Sequence, residues 1–192
     1  MRYEPKDIQI TFREIPDCIC IPINIYGCTF HCPECFEKYL WNESDTIGEE
    51  LDETAIKSIF KANPGADCIC FMGGMDLNRL VELAYTVRND LTTIAGKHPR
   101  VAWYTGYDEL PQMIKANLGL FNYIKLGHYD SKFGPLNKKT TNQRLYQVVE
   151  KPNKVNFKGL NAEGRAEFEH LKFLCKHFEL VDITREMQRN QP

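Results

Sequence analysis

The sequence predicts an α/β fold with a mostly parallel sheet. Short apolar runs alternate along the chain with segments whose apolar residues recur at helical spacing. Strands that are separated by helices pair in parallel through right-handed crossovers, so a parallel sheet is expected. At 192 residues the chain is long enough for one domain with its own core and short for two.

The first two strands are predicted at two apolar runs. Residues 18–25 are nearly continuous isoleucine and cysteine, a composition typical of a buried parallel strand. The second run covers 66–72 and is followed by a glycine pair. Between the two runs, an apolar helical face at 55–60 is stopped by an Asn-Pro-Gly sequence. This region therefore predicts a strand, loop, helix and strand in order.

The same alternation continues along the chain. Asp76 is a suitable N-cap for a helix that leads to a third strand at 101–105. Asp108 is expected to cap a shorter helix that precedes a fourth strand at 121–126. The segment 134–159 is irregular and predicts no element.

The end of the chain predicts an extension of this core. An apolar helical face covers 162–178 and precedes a short edge strand at 180–183. We therefore expect a single domain over 1–192, with a core of about 8–150 and an extension at 151–192 that adds the last helix and the edge strand.

The composition argues against several classes of function. The formal charge is -2 and the two signs are mixed, which disfavours a nucleic-acid partner or a membrane-binding face. The amino terminus is too charged for a secretory signal, and no run approaches a membrane span. Eight cysteines without an export signal indicate reduced thiols in metal or redox chemistry. We expect a cytoplasmic protein.

Three cysteines follow the first strand in the order Cys-x3-Cys-x2-Cys, at Cys28, Cys32 and Cys35. A closed structural metal site takes four protein ligands, so three thiolates leave one metal position free. At this spacing the thiolates can ligate three irons of a [4Fe-4S] cluster and leave the fourth open to a substrate or cofactor. The alternative is a zinc site completed by His31 or by a distant cysteine.

Glycine-containing segments come directly after the other predicted strands. They are Gly73-Gly74, Thr105-Gly106 and Gly127. Because carboxyl ends of parallel strands meet at one edge of a sheet, these loops and the cysteine loop should converge on one pocket. Lys125 lies inside an apolar strand, and a buried lysine is seldom unpaired, so it should point into the site or toward a carboxylate.

The remaining cysteines predict buried positions. Cys18 and Cys20 are two residues apart, as are Cys68 and Cys70, so each pair shares a strand face as small hydrophobic residues. Cys175 is expected in the core face of the last helix. No loop spacing brings four further ligands together, so a second cluster is not expected.

The cysteine loop after the first strand and the glycine pair after the second resemble the radical S-adenosylmethionine superfamily. Within it, the short chain, Tyr-Thr-Gly-Tyr at 104–107, the segment 123–129 and especially Thr-Asn-Gln-Arg-Leu at 141–145 are similar to the activating protein of anaerobic (class III) ribonucleoside-triphosphate reductase. The resemblance covers about 8–148. It implies a partial (β/α) barrel of the radical S-adenosylmethionine type.

The resemblance also implies an activity. The activase would use the cluster and S-adenosylmethionine to make a 5'-deoxyadenosyl radical, which takes a hydrogen atom from one glycine of the reductase. An electron donor such as flavodoxin or ferredoxin is implied, and no catalytic side chain is nominated. The alternatives are an activase of another glycyl radical enzyme, a radical enzyme acting on a small substrate and, from another class, a zinc-binding or electron-transfer module.

Two groups of site residues follow from the resemblance. The candidates for cofactor binding are Glu34, Phe36, Gly73, Gly74, Met75 and Thr105. The candidates for contact with the site or the partner are Lys125, Asn142, Gln143 and Arg144. The glycine pair would receive the methionine amino group, and either Met75 or Asp76 would be the neighbouring side-chain contact.

Each of these assignments has a structural alternative. The glycine pair also suits an ordinary turn, Thr105 a plain strand position and Glu34 a solvent-facing position. The polar residues at 142–144 also suit the start of a solvated helix capped by Thr140 or Thr141.

Overall fold

The computed structural model describes residues 1–42, 47–151 and 177–189. The strands in these ranges are β1 (Arg2–Tyr3), β2 (Cys20–Asn24), β3 (Glu49–Glu50), β4 (Cys68–Met72), β5 (Arg100–Tyr104), β6 (Tyr123–Leu126), β7 (Arg144–Lys151) and β8 (His177–Asp182). The α-helices in these ranges are α1 (Glu53–Ala62), α2 (Leu77–Asp90), α3 (Gln112–Ala116) and α4 (Thr184–Arg189). No helix among these residues is long and apolar enough to cross a bilayer.

Six strands form one sheet in the order β2-β4-β5-β6-β7-β8. The first four are parallel, β7 is antiparallel to β6, and β8 is antiparallel to β7. The expected α/β fold with a mostly parallel sheet is therefore confirmed. In the described ranges the sheet is open, with β2 at one edge and β8 at the other, so the partial barrel stays a prediction.

The two faces of the sheet carry different cores. On one face, alternate strand residues such as Ile23, Phe71 and Trp103 pack with the apolar sides of α1, α2 and α3. The other face carries a smaller cluster that includes the cysteines of β2 and β4, together with Leu145 of β7 and Ile183. The carboxyl ends of β2, β4, β5 and β6 meet at one edge, which we call the carboxyl edge.

Of the two helix N-caps predicted from the sequence, one is present in the structure and the other is not. The Asp76 carboxylate accepts a hydrogen bond of 3.1 Å from the Arg79 N–H and caps α2, as expected. The prediction that Asp108 caps the third helix is wrong. That helix begins after Pro111, and the Asp108 carboxylate contacts the His128 ring at 3.2 Å instead.

The carboxyl-terminal part differs most from the sequence prediction. Strand β7 arises within 134–159, where no element was expected. The helix predicted at 162–178 lies outside the described residues except for its last two positions, which belong to β8 and are therefore extended. The predicted strand at 180–183 corresponds to β8, which begins three residues earlier and pairs with β7 at the edge of the sheet.

Candidate metal centre

The three predicted ligand cysteines lie in one loop, residues 27–36, which directly follows β2 at the carboxyl edge; we call it the cysteine loop. Each cysteine comes after a residue with a left-handed backbone: Gly27 (φ 84°), His31 (φ 46°) and Glu34 (φ 58°). This conformation costs free energy in a residue with a side chain, and it persists where the surrounding structure enforces it. The repeated reversal curls the loop around the thiols.

The thiols of the cysteine loop are half-buried and close enough to interact. Burial raises the pKa of Cys28, while backbone N–H groups of Phe30 and His31 bond to its sulfur and oppose that rise. Charges on Cys32 and Cys35 add to the rise. Hydrogen bonds to sulfur are one of the means by which proteins tune iron–sulfur clusters, so this backbone arrangement suits a bound cluster.

Backbone hydrogen bonds close the cysteine loop at its base. The N–H groups of Gly27 and Cys28 both donate to the Leu40 carbonyl, at 2.8 and 3.0 Å. Leu40 is buried within the short 3-10 helix Lys38–Trp41. The loop is thereby held as a closed unit between the end of β2 and this turn.

Aromatic contacts join the cysteine loop to the loops that follow β5 and β6. The ring of Phe30 lies over Gly106, so that a Cβ on this glycine would be 2.6 Å from the ring, and it packs edge-on against Tyr107 at 5.0 Å. Phe36 lies 6.0 Å from the ring of Tyr129 and is 82% exposed. The structure therefore brings together three of the loops that the sequence placed at one pocket.

The glycine pair turns the chain sharply at the end of β4. Gly73 and Gly74 have φ of 95° and 82°, a conformation that favours glycine. The N–H of Gly73 donates to the Tyr104 carbonyl at 3.0 Å, and its carbonyl accepts from the Trp103 indole at 2.6 Å. A Cβ on Gly73 would lie 3.1 Å from the Ile25 carbonyl, so this turn is pressed against the chain two residues before the cysteine loop.

The Lys125 amine lies in the same region and is 92% buried, with 8% of the residue exposed. It donates to the carbonyls of Thr105 and Gly127 at 3.2 and 2.8 Å, so its partners are backbone carbonyls of the turns at the carboxyl edge and not a carboxylate, one of the two expected alternatives. Burial lowers the pKa of Lys125 to about 8, and the charges of the three loop thiols oppose the shift. The Thr105 hydroxyl accepts from the Tyr107 N–H at 3.3 Å and stabilises the same turn.

The polar segment at 142–144 supports the loop after β6. The side chains of Asn142 and Gln143 donate to the carbonyls of His128 and Gly127, at 2.9 and 3.2 Å. Arg144 donates to two carbonyls of its own turn, at 2.7 and 2.8 Å. The alternative of a helix start is wrong because β7 begins at Arg144. These side chains hold the loop that carries Tyr129.

The sequence did not predict one feature, an acidic cleft of about 540 Å³ beside β2. Residues 7–14 line one side of it, Asn24 and Met72 of the strands form part of its wall, and Glu37 and Tyr39 line it after the cysteine loop. Burial raises the pKa of Glu14 within this cleft. Apolar side chains alternate with polar ones at Ile8, Ile10 and Phe12, a strand-like pattern that could have placed this segment beside the sheet, where Thr11 makes a single β-bridge to Cys20.

The donor set of the cysteine loop, three thiols without a gathered fourth ligand among the described residues, suits a cluster better than a closed zinc site. Among the described residues, no three His, Cys, Asp or Glu side chains gather as one ion requires. A zinc ion holds its ligand atoms about 2.0–2.3 Å from one point, whereas a [4Fe-4S] cluster binds each thiolate at a separate iron. His31, the proposed fourth zinc ligand, is exposed and stacks on Trp41 at 4.7 Å. The donor set of the cysteine loop therefore fits an iron–sulfur cluster.

Fold and site together define an iron–sulfur protein. The chain belongs to the family of 4Fe-4S single cluster domains, whose family model matches residues 19–148. The match runs from the start of β2 into β7 and includes the whole cysteine loop. No curated protein and no solved structure matches the chain.

The cap on α2 gives a prediction that separates helix stability from cofactor binding. Replacing Asp76 with alanine removes the acceptor of the Arg79 N–H, so the free energy of unfolding should fall by about 1 kcal/mol in chemical denaturation. Iron content after reconstitution should be unchanged because the carboxylate is exposed and bonded to its own helix. Asp76→Ser keeps a capping oxygen and is the control. A loss of S-adenosylmethionine binding in Asp76→Ala with retained stability would assign the carboxylate to the cofactor instead.

Proposed function

We propose that the chain is an activase that uses S-adenosylmethionine to install a glycyl radical on anaerobic ribonucleoside-triphosphate reductase. When bound, the cluster would supply the electron that cleaves S-adenosylmethionine, and the 5'-deoxyadenosyl radical would then take a hydrogen atom from a glycine of the reductase. The proposal places this chemistry in a single domain with a partial (β/α) barrel of the radical S-adenosylmethionine type. It places the protein in the cytoplasm, with flavodoxin or ferredoxin as electron donor.

The proposal rests on where the cysteines lie in the fold. Cys28, Cys32 and Cys35 occupy the carboxyl edge, whereas Cys20 and Cys68 begin their strands at the opposite edge. Three thiolates therefore serve the centre, and the described residues offer no fourth thiol next to them. A four-iron cluster held in this way has one iron without a thiolate, which is where a chelating amino and carboxylate group can bind.

The acidic cleft supports S-adenosylmethionine as the ligand. Its volume lies within the range of about 300–1,000 Å³ typical of small-molecule sites. Its lining contains the carboxylates of Asp7, Glu14 and Glu37 and one cation, Arg13, so it is acidic on balance. S-adenosylmethionine carries a positive sulfonium and an ammonium group against one carboxylate, so an acidic wall attracts it. Glu37 follows the cysteine loop directly and connects the cleft with the proposed centre.

The neighbouring loops are suited to position the ligand and to exclude water. The Gly73-Gly74 turn lies against Ile25 at the base of the cysteine loop, where the methionine end of the ligand would approach. Phe30 packs against Tyr107 and would shield the side of the centre that faces away from the glycine turn. We assign these residues to binding and shielding, with Lys125 holding the turns at Thr105 and Gly127 in place.

An aromatic pair beside the centre, of which Phe36 is exposed and Tyr129 half-buried, supports a macromolecular substrate. Phe36 is 82% exposed and Tyr129 lies 6.0 Å from it, so an apolar contact surface adjoins the cysteine loop. An exposed aromatic side chain at the mouth of a site is a common feature of protein contact surfaces. We propose that this pair receives the glycine-bearing segment of the reductase, while Glu34 lies exposed at the same rim.

The experiment that tests the partner is electron paramagnetic resonance after activation. The reduced, cluster-loaded chain is mixed anaerobically with S-adenosylmethionine and the reductase. The doublet of a glycyl radical is expected with the wild-type chain and with Cys70→Ser, and it should be absent with Cys32→Ala. A doublet that forms on another glycyl radical enzyme, but not on the reductase, would overturn the choice of partner.

A further inference from the structure

A second group of thiols lies at the amino ends of β2 and β4, at the other end of the strands from the cysteine loop. Cys18, Cys20 and Cys68, which we call the thiol cluster, share the face that is not covered by α1 and α2. Cys20 and Cys68 are direct neighbours in the register of β2 and β4, and both are fully buried. Cys18 is 5% exposed and interacts with both of the other thiols.

A guanidinium group contacts the thiol cluster. Arg100 is the register neighbour of Cys68 in β5, and its Nη1 donates to the Cys18 sulfur at 2.6 Å and to the Asp17 carbonyl at 2.9 Å. Burial and the neighbouring Cys18 raise the pKa of Tyr123 to about 12, which places the phenol beside the same sulfur. The Arg100 side chain is 39% exposed, so the buried cluster is separated from solvent by one side chain at its Cys18 end.

The hydrogen bonds make the three thiols unequal. Bonds from the Cys20 and Cys68 thiols, together with the contact from Arg100, lower the pKa of Cys18. The bond to Cys18 raises the pKa of both Cys20 and Cys68. The Arg100 guanidinium in contact with its sulfur also favours the thiolate form of Cys18, which is the form of cysteine that reacts with oxidants. The expectation that Cys18 is only a small hydrophobic residue is incomplete.

The arrangement suits thiol chemistry better than metal binding. No three cysteine, histidine or acidic side chains in the described ranges gather as a single metal ion requires. Cys18 already accepts from Arg100, and a cation next to a positive metal ion is unfavourable. Cys70 lies on the same face but interacts with Cys18 only through charge, so it is not a member of the hydrogen-bonded group.

We propose that the thiol cluster is an oxidation site at which Cys18 and Cys68 form a disulfide when the chain meets a hydroperoxide. The Cys18 thiolate attacks the peroxide oxygen, the O–O bond breaks, and the product is a sulfenic acid with release of hydroxide or alkoxide. The Cys68 sulfur then attacks the Cys18 sulfur, the S–O bond breaks, and the hydroxide leaves as water with the Cys68 proton. The two thiols lose two electrons, and the peroxide gains them.

The choice of Cys68 over Cys20 follows from chain geometry. Contacts of neighbouring residues bring Cys18 to Cys68: the Cys68 N–H donates to the Ile19 carbonyl at 3.2 Å, and Arg100, the register neighbour of Cys68, reaches the Cys18 sulfur. Cys18 and Cys20 are separated by a single residue at the entry to β2, so a bridge between them would strain the chain there. A Cys18–Cys68 bond would tie β2 to β4, the strands that lead to the cysteine loop and to the glycine pair.

Peptide mapping of the full-length chain tests this proposal without reference to S-adenosylmethionine. The chain is treated with one equivalent of hydrogen peroxide, denatured, alkylated and digested. We expect a mass about 2 Da lower before alkylation, a Cys18–Cys68 linkage in the fragment spectra, and its loss after reduction with dithiothreitol. Cys70→Ser is the matched control and should keep the linkage.

A variant of the resolving thiol gives a second test, and the linkage pattern of the wild-type chain gives the results that would overturn the proposal. In Cys68→Ser, the sulfenic acid on Cys18 should persist and be trapped by dimedone. A linkage between Cys20 and Cys68, or no linkage within the thiol cluster of the wild-type chain, would overturn the proposal. Because the mapping of the wild-type chain decides this alone, a variant that fails to fold does not affect the result.

Discussion

Replacing Cys32 with alanine is expected to abolish cluster binding and every activity that depends on it. The three thiols share one half-buried loop, and each is expected to bind a separate iron, so the remaining two cannot replace the missing ligand. Iron and acid-labile sulfide after anaerobic reconstitution should fall from about four per chain to near background. The measurement is a quantitative iron and sulfide assay on the folded variant.

The matched control for this loss is Cys70→Ser. It also removes one sulfur, but from a fully buried position within β4 on the face away from α1 and α2. Its iron and sulfide content should equal that of the wild-type chain. A Cys32→Ala chain that retains the wild-type iron content would show that the ligand assignment is wrong.

Replacing Gly106 with alanine is expected to displace the cysteine loop. The new Cβ would lie 2.6 Å from two atoms of the Phe30 ring, closer than real side chains approach. Overpacking of this kind costs about 1–3 kcal/mol. Because Phe30 lies between two of the ligand cysteines, moving the ring shifts the thiols, so cluster content should fall by at least half while the helices stay folded. Iron content and circular dichroism measure the two effects.

Gly65→Ala is the control for this variant. A Cβ at Gly65 meets no atom within 4 Å, so the added methyl group should affect neither cluster content nor fold. Neither glycine has a positive φ, which leaves the steric contact with Phe30 as the difference between the two sites. Wild-type cluster content in Gly106→Ala would mean that the Phe30 contact does not position the cysteine loop.

The parallel part of the sheet could be predicted because its strands are continuously apolar. Strands β2, β4, β5 and β6 are buried on both faces, which leaves a strong signal in the sequence. Strand β7 could not be predicted because its residues are mostly half-buried or exposed and several are charged. The placement of Asp108 also depended on a tertiary contact, since its carboxylate bonds to His128 rather than to a helix.

The ligand residues of the candidate site could be predicted from the sequence, but the backbone conformations and contacts that hold them in place could not. The spacing of the three cysteines and the glycine pair identified the loops that the fold brings together. The left-handed backbone at His31 and Glu34 was not predictable because residues with side chains rarely adopt it. The contact of Arg100 with Cys18 depends on the register of β4 and β5, which the sequence alone does not specify.

Three thiolates on a [4Fe-4S] cluster leave one iron open, and we propose that S-adenosylmethionine binds to this iron and is cleaved there. The most direct measurement is the anaerobic incubation of the cluster-loaded chain with dithionite and S-adenosylmethionine, followed by chromatography of the products. We predict 5'-deoxyadenosine and methionine in equal amounts, and neither product with Cys32→Ala. A chain that holds a full [4Fe-4S] cluster and leaves S-adenosylmethionine intact would show that the cluster does not cleave this cofactor.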